Sequence, residues 1–285
     1  MLFVSLKFLR LRCPCFEVET LSCYLAFMFG SGLEISEEKR QRIFQAMENL
    51  VLQKNYPCVA AIQSLQKEEF GFGVYRDFGS GHSSLKLGRD LLAFKTEQEK
   101  SKSPFLSFWA LYPEEQKVLD EENFEQGLWQ ELSSLSSQAE FESPWDPKFS
   151  PNPEDSDFCF SFAGQAFFVV GLHPQSSRLS RRFPYPALIF NLYEQFVDLM
   201  KVGKYEPMVE INRKRDLKFQ GSINPMVEKY AESWEAIQFS GRKNSEKWKC
   251  PFHSPKSAPQ PALLNSTATE SMLVKSPPFE PKSRS

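Results

Sequence analysis

The sequence predicts an α+β protein in which helices pack against a mixed β-sheet, as a single domain with flexible termini. Helically spaced apolar residues and short strand-like apolar runs occur in both halves of the chain, without an internal repeat. Hydrophobic residues make up 41% and charged residues 25% of the 285 residues, as in ordinary globular proteins. The 27 Phe residues and the aromatic share of 14% are high. They fit either a Phe-rich core or the wall of a large apolar cavity.

The first half of the chain predicts three helices and three strands. Ser36 followed by Glu37 and Glu38 is typical of a helix start. Short apolar runs bounded by turn residues predict the strands. The predicted elements are, in order, a helix at 36–54, strands at 56–62 and 70–75, a helix at 85–95, a strand at 105–112 and a helix at 119–135.

The second half follows a predicted loop at 142–157, where four prolines lie among Ser, Asp and Glu. The segment FCFSFAGQAFFVVG at 158–171 then predicts a hairpin of two buried strands, with its turn at Ala163 and Gly164. The remaining predicted elements are a strand at 187–191 and helical or turn-like segments at 194–201, 206–219 and 227–230.

The termini differ from the segment between them in composition. Residues 1–35 predict an N-terminal extension. Its first 28 residues fit neither a secretory signal nor a membrane helix, because charges and a proline interrupt them. Since Met28 directly precedes the first clear helix signal, we expect translation to begin there. Residues 36–253 predict the folded domain. Residues 254–285 are rich in Pro, Ser and Lys, and they predict a disordered tail.

The net charge and the spacing of the cysteines indicate which partners and which cell compartment to expect. The net charge of -2 and the pI near 6.1 give no electrostatic reason to expect a nucleic-acid or membrane partner. The six cysteines are scattered, and the close pair Cys13 and Cys15 lacks the CxxC spacing of zinc and redox sites. A reducing compartment is therefore predicted.

The densest group of reactive side chains follows the hydrophobic strand that ends near residue 171. His173 is followed by Arg178, Arg181 and Arg182. Imidazole is a common iron ligand, and arginines grip carboxylates, so this group suits a haem whose propionates meet the arginines. A capped strand end with a solvated basic loop explains the same residues.

Two further segments carry candidate site residues. Cys250 precedes a proline beside large aromatic residues and is either a buried structural thiol or a thiolate ligand of iron. The segment QGSINPM contains Gln220 and Asn224, which either line a substrate site or satisfy a turn. Cys250 and His253 make only half of a zinc site. Neither nucleotide-binding motifs nor the GxSxG and HExxH motifs occur.

Several of these segments resemble, in order, the blocks of the YqcI/YcgG family. They are YPCVAA, RDLLAF, FFVVGLHPQSSRLSRRFPYPALIFN, EQFVDLMKVGKYEPM, RDLKFQGSINPM, QFSGR and WKCPFH. The resemblance implies a cytoplasmic enzyme that uses haem b and dioxygen to hydroxylate a nitrogen of a small guanidine- or arginine-type substrate. It also implies a separate electron donor and neither a nucleic-acid nor a membrane partner. A non-catalytic haem-binding protein and a small-anion-binding protein of the same fold are the alternatives.

The resemblance also implies roles for individual residues. His173 in the GLHP block is the first choice for the haem ligand, and Cys250 in the CPF block is the second. The family pattern favours Phe-Gly where YPCVAA has alanines, which alters a pocket wall. The residues implied to meet the propionates are Arg178, Arg181 and Arg182, and those implied to shape the substrate pocket are Gln220, Asn224 and Arg242.

Overall fold

A mixed β-sheet with helices on both faces forms the centre of the computed structural model, which describes residues 27–28, 33–101, 103–113, 119–141, 144–155, 157–225, 235–245 and 247–253. In these residues the sheet has six strands in the order β1-β2-β3-β6-β5-β4. The strands are β1 (Phe27–Met28), β2 (Phe70–Val74), β3 (Ser107–Leu111), β4 (Ser161–Phe162), β5 (Gln165–Leu172) and β6 (Ala187–Leu192). Neighbours among β1, β2 and β3 are parallel, and the other neighbouring pairs are antiparallel.

Six α-helices surround this sheet in the described part of the chain. They are α1 (Glu37–Val51), α2 (Val59–Gln66), α3 (Ser84–Lys100), α4 (Glu121–Ser136), α5 (Tyr193–Lys201) and α6 (Tyr205–Gln220). Ser36 caps α1 by accepting the amide of Lys39, and Asp120 caps α4 by accepting the amide of Asn123. Helix α6 ends at Gly221, whose φ of 80° is the left-handed conformation that glycine adopts without strain.

Two apolar cores lie on opposite faces of the sheet, because successive side chains of a strand point to opposite sides. Helices α3 and α4 pack on one face against residues such as Phe108 and Phe190. Helix α1 packs on the other face against residues such as Trp109 and Ile189. We call these the packed face and the cavity face, since α2, α5 and α6 enclose a cavity on the second one.

The α+β class, the mixed sheet and the single domain are confirmed. The predicted helices at 36–54, 85–95 and 119–135 correspond to α1, α3 and α4, and the segments at 194–201 and 206–219 to α5 and α6. The predicted hairpin is formed by β4 and β5. The other predicted strands at 70–75, 105–112 and 187–191 correspond to β2, β3 and β6.

The strand predicted at 56–62 is wrong, because helix α2 begins at Val59. The sulfur of Cys58 accepts the amide of Ala61 and caps this helix, and Asn212 accepts the amide of Val59. A short apolar run such as VAAI does not by itself distinguish a buried strand from a buried helix. The segment at 227–230, the proposed extension before Phe27 and the proposed tail at 254–285 lie outside the described residues.

Candidate functional site

A cavity of about 250 Å³ lies between the cavity face of the sheet and helices α2, α5 and α6. This volume is just below the range of roughly 300–1,000 Å³ that is typical of small-molecule sites. Its apolar wall includes Leu65, Phe70, Phe105, Trp109, Phe168, Val170, Leu172, Ile189 and Phe196. Its polar wall includes Cys58, Ser64, Ser107, Arg181, Asn191, Gln195, Asn212, Arg213, Asp216 and Asn224.

Cys58 is the thiol on the cavity wall. It is half-buried at the N-terminus of α2, with its sulfur 3.4 Å from the amide nitrogen of Ala61. Burial raises the pKa of the Cys58 thiol, whereas the amides of Ala61 and Ala60 and the charge of Arg181 act to lower it. Because burial is the largest of these effects, the net shift of the Cys58 pKa is upward.

Arg181 contributes positive charge to the cavity wall without a carboxylate partner. Its guanidinium donates to the carbonyl oxygens of Gly171, Phe239 and Gln238 at 3.1, 3.2 and 3.2 Å. Within the described residues no carboxylate lies within ion-pair distance of it. Burial lowers the pKa of Arg181, and the like charge of Arg178 lowers it too, whereas the carboxylate of Asp216 acts to raise it.

Asp216 is the carboxylate that lines the cavity, and it is already neutralised. One nitrogen of the Arg178 guanidinium lies 2.6 Å from each of its oxygens, and the amide of Asn224 donates to it at 2.8 Å. Arg178 also donates to the hydroxyl and the carbonyl of Ser222. This buried pair ties the loop after β5 to α6, and a propionate would have to share Arg178 with Asp216.

Three carboxamides on the cavity wall have one end fixed by the backbone. Asn191 donates to the carbonyl of Phe168 at 3.2 Å, and Gln195 donates to that of Leu106 at 2.9 Å. Asn212 accepts the amide of Val59 at 3.1 Å. The opposite end of each side chain, an oxygen in Asn191 and Gln195 and an NH2 group in Asn212, has no bonded partner among the described residues.

His173 lies away from the cavity, on the packed face. It is 1% exposed, and its ring stacks on Phe124 with centroids 4.3 Å apart. Gly171 permits this close approach of α4 to β5, because a Cβ there would lie 2.6 Å from the Phe124 ring. Burial lowers the pKa of His173 to about 4. Neither ring nitrogen has a partner of good hydrogen-bond geometry within the described part of the chain, although the nearby backbone of Leu119 acts to raise the pKa.

Two other predicted site residues hold the loop that follows β5. The Nε of Arg182 donates to the carbonyl of Ser176 at 3.0 Å, and the side chain itself is exposed. Gln220 accepts the amide of Leu179 at 2.6 Å and donates to the carbonyl of Ser177 at 3.2 Å. These contacts fasten the loop to the end of α6, and neither side chain lines the cavity.

Arg242 and Cys250 also lie on the packed face. Arg242 pairs with the buried carboxylate of Glu125 at 3.0 Å and holds the C-terminal segment against α4. Cys250 packs against the core of this face, and burial raises the pKa of its thiol to about 12. Of the predicted site residues, only Arg181 and Asn224 line the cavity.

Cys58, Asn191, Gln195 and Asn212 were not predicted as site residues. Cys58 lies in the YPCVAA block that resembles the family, but this segment was predicted as a strand. Its position at the start of a helix was therefore missed. Asn191 was detectable because it stands at the end of a strongly apolar strand, where an amide is unusual. Asn212 carries no local signal.

The described residues contain neither a metal-binding cluster nor a membrane-spanning helix. In those residues, no three or more His, Cys, Asp and Glu side chains form a group that could hold a metal ion. No helix in the described ranges is both long enough and apolar enough to cross a membrane.

The fold is that of an α+β protein with a cavity between a mixed sheet and three helices. The sequence profile of the YqcI/YcgG family matches residues 47–253, and the chain belongs to that family. The uncharacterized protein YqcI of Bacillus subtilis (strain 168) is 25% identical over 151 residues, which cover 52% of this chain and 58% of YqcI. The chain therefore matches little more than half the length of this relative. No solved structure matches the chain.

Proposed function

We propose that this protein is a haem-dependent oxygenase that hydroxylates a nitrogen of a small guanidine- or arginine-type substrate, with Cys58 as the iron ligand. The observation that carries the proposal is the position of Cys58 on the wall of the cavity. Among the described residues that line the cavity, Cys58 is the sole thiol, and there is no imidazole. The ligands expected from the resemblance, His173 and Cys250, pack on the opposite face of the sheet.

The residue types on the cavity wall suit haem, and helices α2, α5 and α6 would have to move apart to admit it, because the volume of about 250 Å³ is below the range of roughly 300–1,000 Å³ of small-molecule sites. Aromatic and aliphatic side chains suit an apolar macrocycle, and a thiol is a common axial ligand of haem iron. The two N–H donors of Arg181 that are not used by carbonyl oxygens suit a propionate. Bound haem would supply dioxygen activation, and a thiolate ligand favours cleavage of the O–O bond.

The residues around Cys58 would stabilise the negative charge of a thiolate that binds iron. Loss of the thiol proton places a negative charge beside the amides of α2 and close to the Arg181 cation. The thiolate would then compensate a cation whose hydrogen-bond partners in the described structure are neutral carbonyls. A separate electron donor and a cytoplasmic location belong to the same proposal, with neither nucleic acid nor membrane as a partner.

A second candidate is a cofactor-free protein that binds a small anion. The charge of Arg181 favours it, because a cation on a cavity wall without a carboxylate partner attracts an anionic ligand as well as it attracts a propionate. The two candidates differ in the visible spectrum of the protein.

The test is the visible spectrum of the full chain after haem supplementation. We expect a Soret band, and a red-shifted ferrous carbon monoxide band that Cys58→Ser removes and Cys250→Ser retains. If no Soret band forms, the anion-binding candidate is favoured. If His173→Ala abolishes the band and added imidazole restores it, His173 is the ligand and the assignment of Cys58 is wrong.

A further inference from the structure

We infer that Asn212 and Arg215 of helix α6 position the Cys58 sulfur on the cavity wall, by holding the backbone on both sides of that residue. They are positioning residues, because their bonds go to the backbone beside Cys58. The inference rests on the proposed function in taking Cys58 as the ligand of iron. The position of the thiol itself can also be measured in the protein without haem.

The two bonds lie on either side of Cys58. The Nε of Arg215 donates to the carbonyl oxygen of Tyr56 at 2.6 Å. The Oδ1 of Asn212 accepts the amide of Val59 at 3.1 Å. The proline that precedes Cys58 restricts the backbone further, because its ring fixes φ at about −65°. The direction in which the cysteine side chain leaves the backbone is therefore set from both ends.

One face of α6 makes these contacts. Asn212, Arg215 and Phe219 follow one another at intervals of three and four residues, and such residues share a face of a helix. The ring of Phe219 meets that of Tyr56 edge-on, with centroids 5.9 Å apart. The hydroxyl of Tyr56 donates to the carbonyl of Ser180 at 3.2 Å. The start of α2 is therefore held between α6 and the loop after β5.

The cap of α2 is divided between an oxygen and a sulfur. Helix caps usually use the side-chain oxygen of Ser, Thr, Asp or Asn, whereas sulfur is a weak acceptor. In α2 the sulfur of Cys58 accepts the amide of Ala61 at 3.4 Å, and the oxygen comes from Asn212 on another helix. A sulfur that binds iron can therefore leave the Ala61 amide without loss of the whole cap. The division allows a thiol to stand at the start of the helix.

The same bonds bear on the widening of the cavity that haem requires. They join the start of α2 to α6, so these two helices would move as one unit. The widening would then occur between this unit and α5 or the sheet. The Cys58 sulfur would keep its place beside α6 during that movement.

The first test measures how fast N-ethylmaleimide labels Cys58 in the haem-free full chain, with mass spectrometry to assign each cysteine. Asn212→Leu and Arg215→Met each remove one bond, and each should speed the labelling of Cys58 by about tenfold. Asn212→Asp keeps the accepting oxygen and should not label faster than the parent. The labelling of Cys159 and Cys250 should stay unchanged in all three variants.

The matched control is Lys214→Met. Lys214 lies on the solvent side of α6, where it pairs with Glu210 at 3.8 Å, and its removal should leave the labelling of Cys58 unchanged. Thermal melting identifies any variant that fails to fold, and Asn212→Leu and Arg215→Met test the same claim at two positions. Unchanged labelling of Cys58 in folded variants would overturn the inference. Equal acceleration at every cysteine would also overturn it, because that indicates general loosening.

The second test compares ferrous carbon monoxide spectra of the haem-loaded proteins. Asn212→Leu should lower the share of the red-shifted band by about tenfold at equal haem content, and Asn212→Asp should retain it. A merely structural role would lower haem content and melting temperature without changing that share, so an unchanged share contradicts the inference. If the parent shows no Soret band, the iron proposal fails, and the labelling rates alone decide whether Asn212 and Arg215 position the thiol.

Discussion

Aromatic and charged side chains are packed differently on the two faces of the sheet. On the packed face, aromatic rings fill the space between the sheet and helices α3 and α4, and charges such as Glu125 have partners close by. On the cavity face, α2, α5 and α6 leave an open space whose wall carries a thiol and an arginine without a carboxylate partner. The packed face therefore supplies most of the stability, and the cavity face gives up part of it by leaving a space unfilled.

The same substitution made on each face should give the largest difference in the free energy of unfolding. Phe124→Ala should lower the free energy of unfolding by about 3–5 kcal/mol, because the ring is fully buried against His173 and Phe78. Phe196→Ala should cost less than half as much, since that ring is only half-buried at the cavity wall. Chemical denaturation measures both values, and equal losses would remove the distinction between the faces.

Removal of a buried charge tests the attachment of α6. Asp216→Asn should destabilise the protein by about 3 kcal/mol, since it leaves the Arg178 guanidinium without its carboxylate. The matched control is Glu140→Gln, which breaks the exposed pair with Arg89 and should cost less than about 1 kcal/mol. If both losses are small in denaturant unfolding, the Arg178–Asp216 pair does not anchor the helix.

The pH dependence of stability reports on His173. Because burial lowers its pKa to about 4, the unfolded chain binds a proton below pH 6.5 that the folded protein does not bind. Stability should therefore fall as the pH is lowered from about 6.5 towards 4, by about 3 kcal/mol. His173→Phe should reduce this slope in unfolding measurements, and His82→Gln, in an exposed loop, should leave it unchanged.

Removal of a helix cap should lower the free energy of unfolding by the same amount on both faces of the sheet. Ser36→Ala in α1 and Asp120→Ala in α4 each remove one hydrogen bond to a helix N-terminus. Each should cost about 1 kcal/mol in the free energy of unfolding. A much larger loss at one of them would mean that the capping residue also stabilises the packing on its face of the sheet. The two faces would then differ in this respect too.

Local signals in the sequence predict most of the fold. Helix α4 follows from the spacing of Phe124, Leu128 and Leu132, and the hairpin of β4 and β5 follows from two apolar runs around Gly164. Helix α2 was missed because its cap is a cysteine, which is not among the residues that usually begin helices.

The site was less predictable because it depends on which face each side chain takes. Leu172 faces the cavity and His173, the next residue, faces α4, as the alternation along a strand requires. The arginines after β5 were recognised as important, but the partners that Arg178 and Arg181 find come from distant segments. No local pattern identifies such partners.

The helix over the cavity has a consequence for rates. In α6 only Tyr205 and Asp216 are buried, whereas eight residues of α4 are buried. A helix held by so few contacts opens more readily than one embedded in a core. Its amide hydrogens should exchange with solvent sooner than those of α4. The exchange rates of the two helices therefore measure how much more often the helix beside the cavity opens.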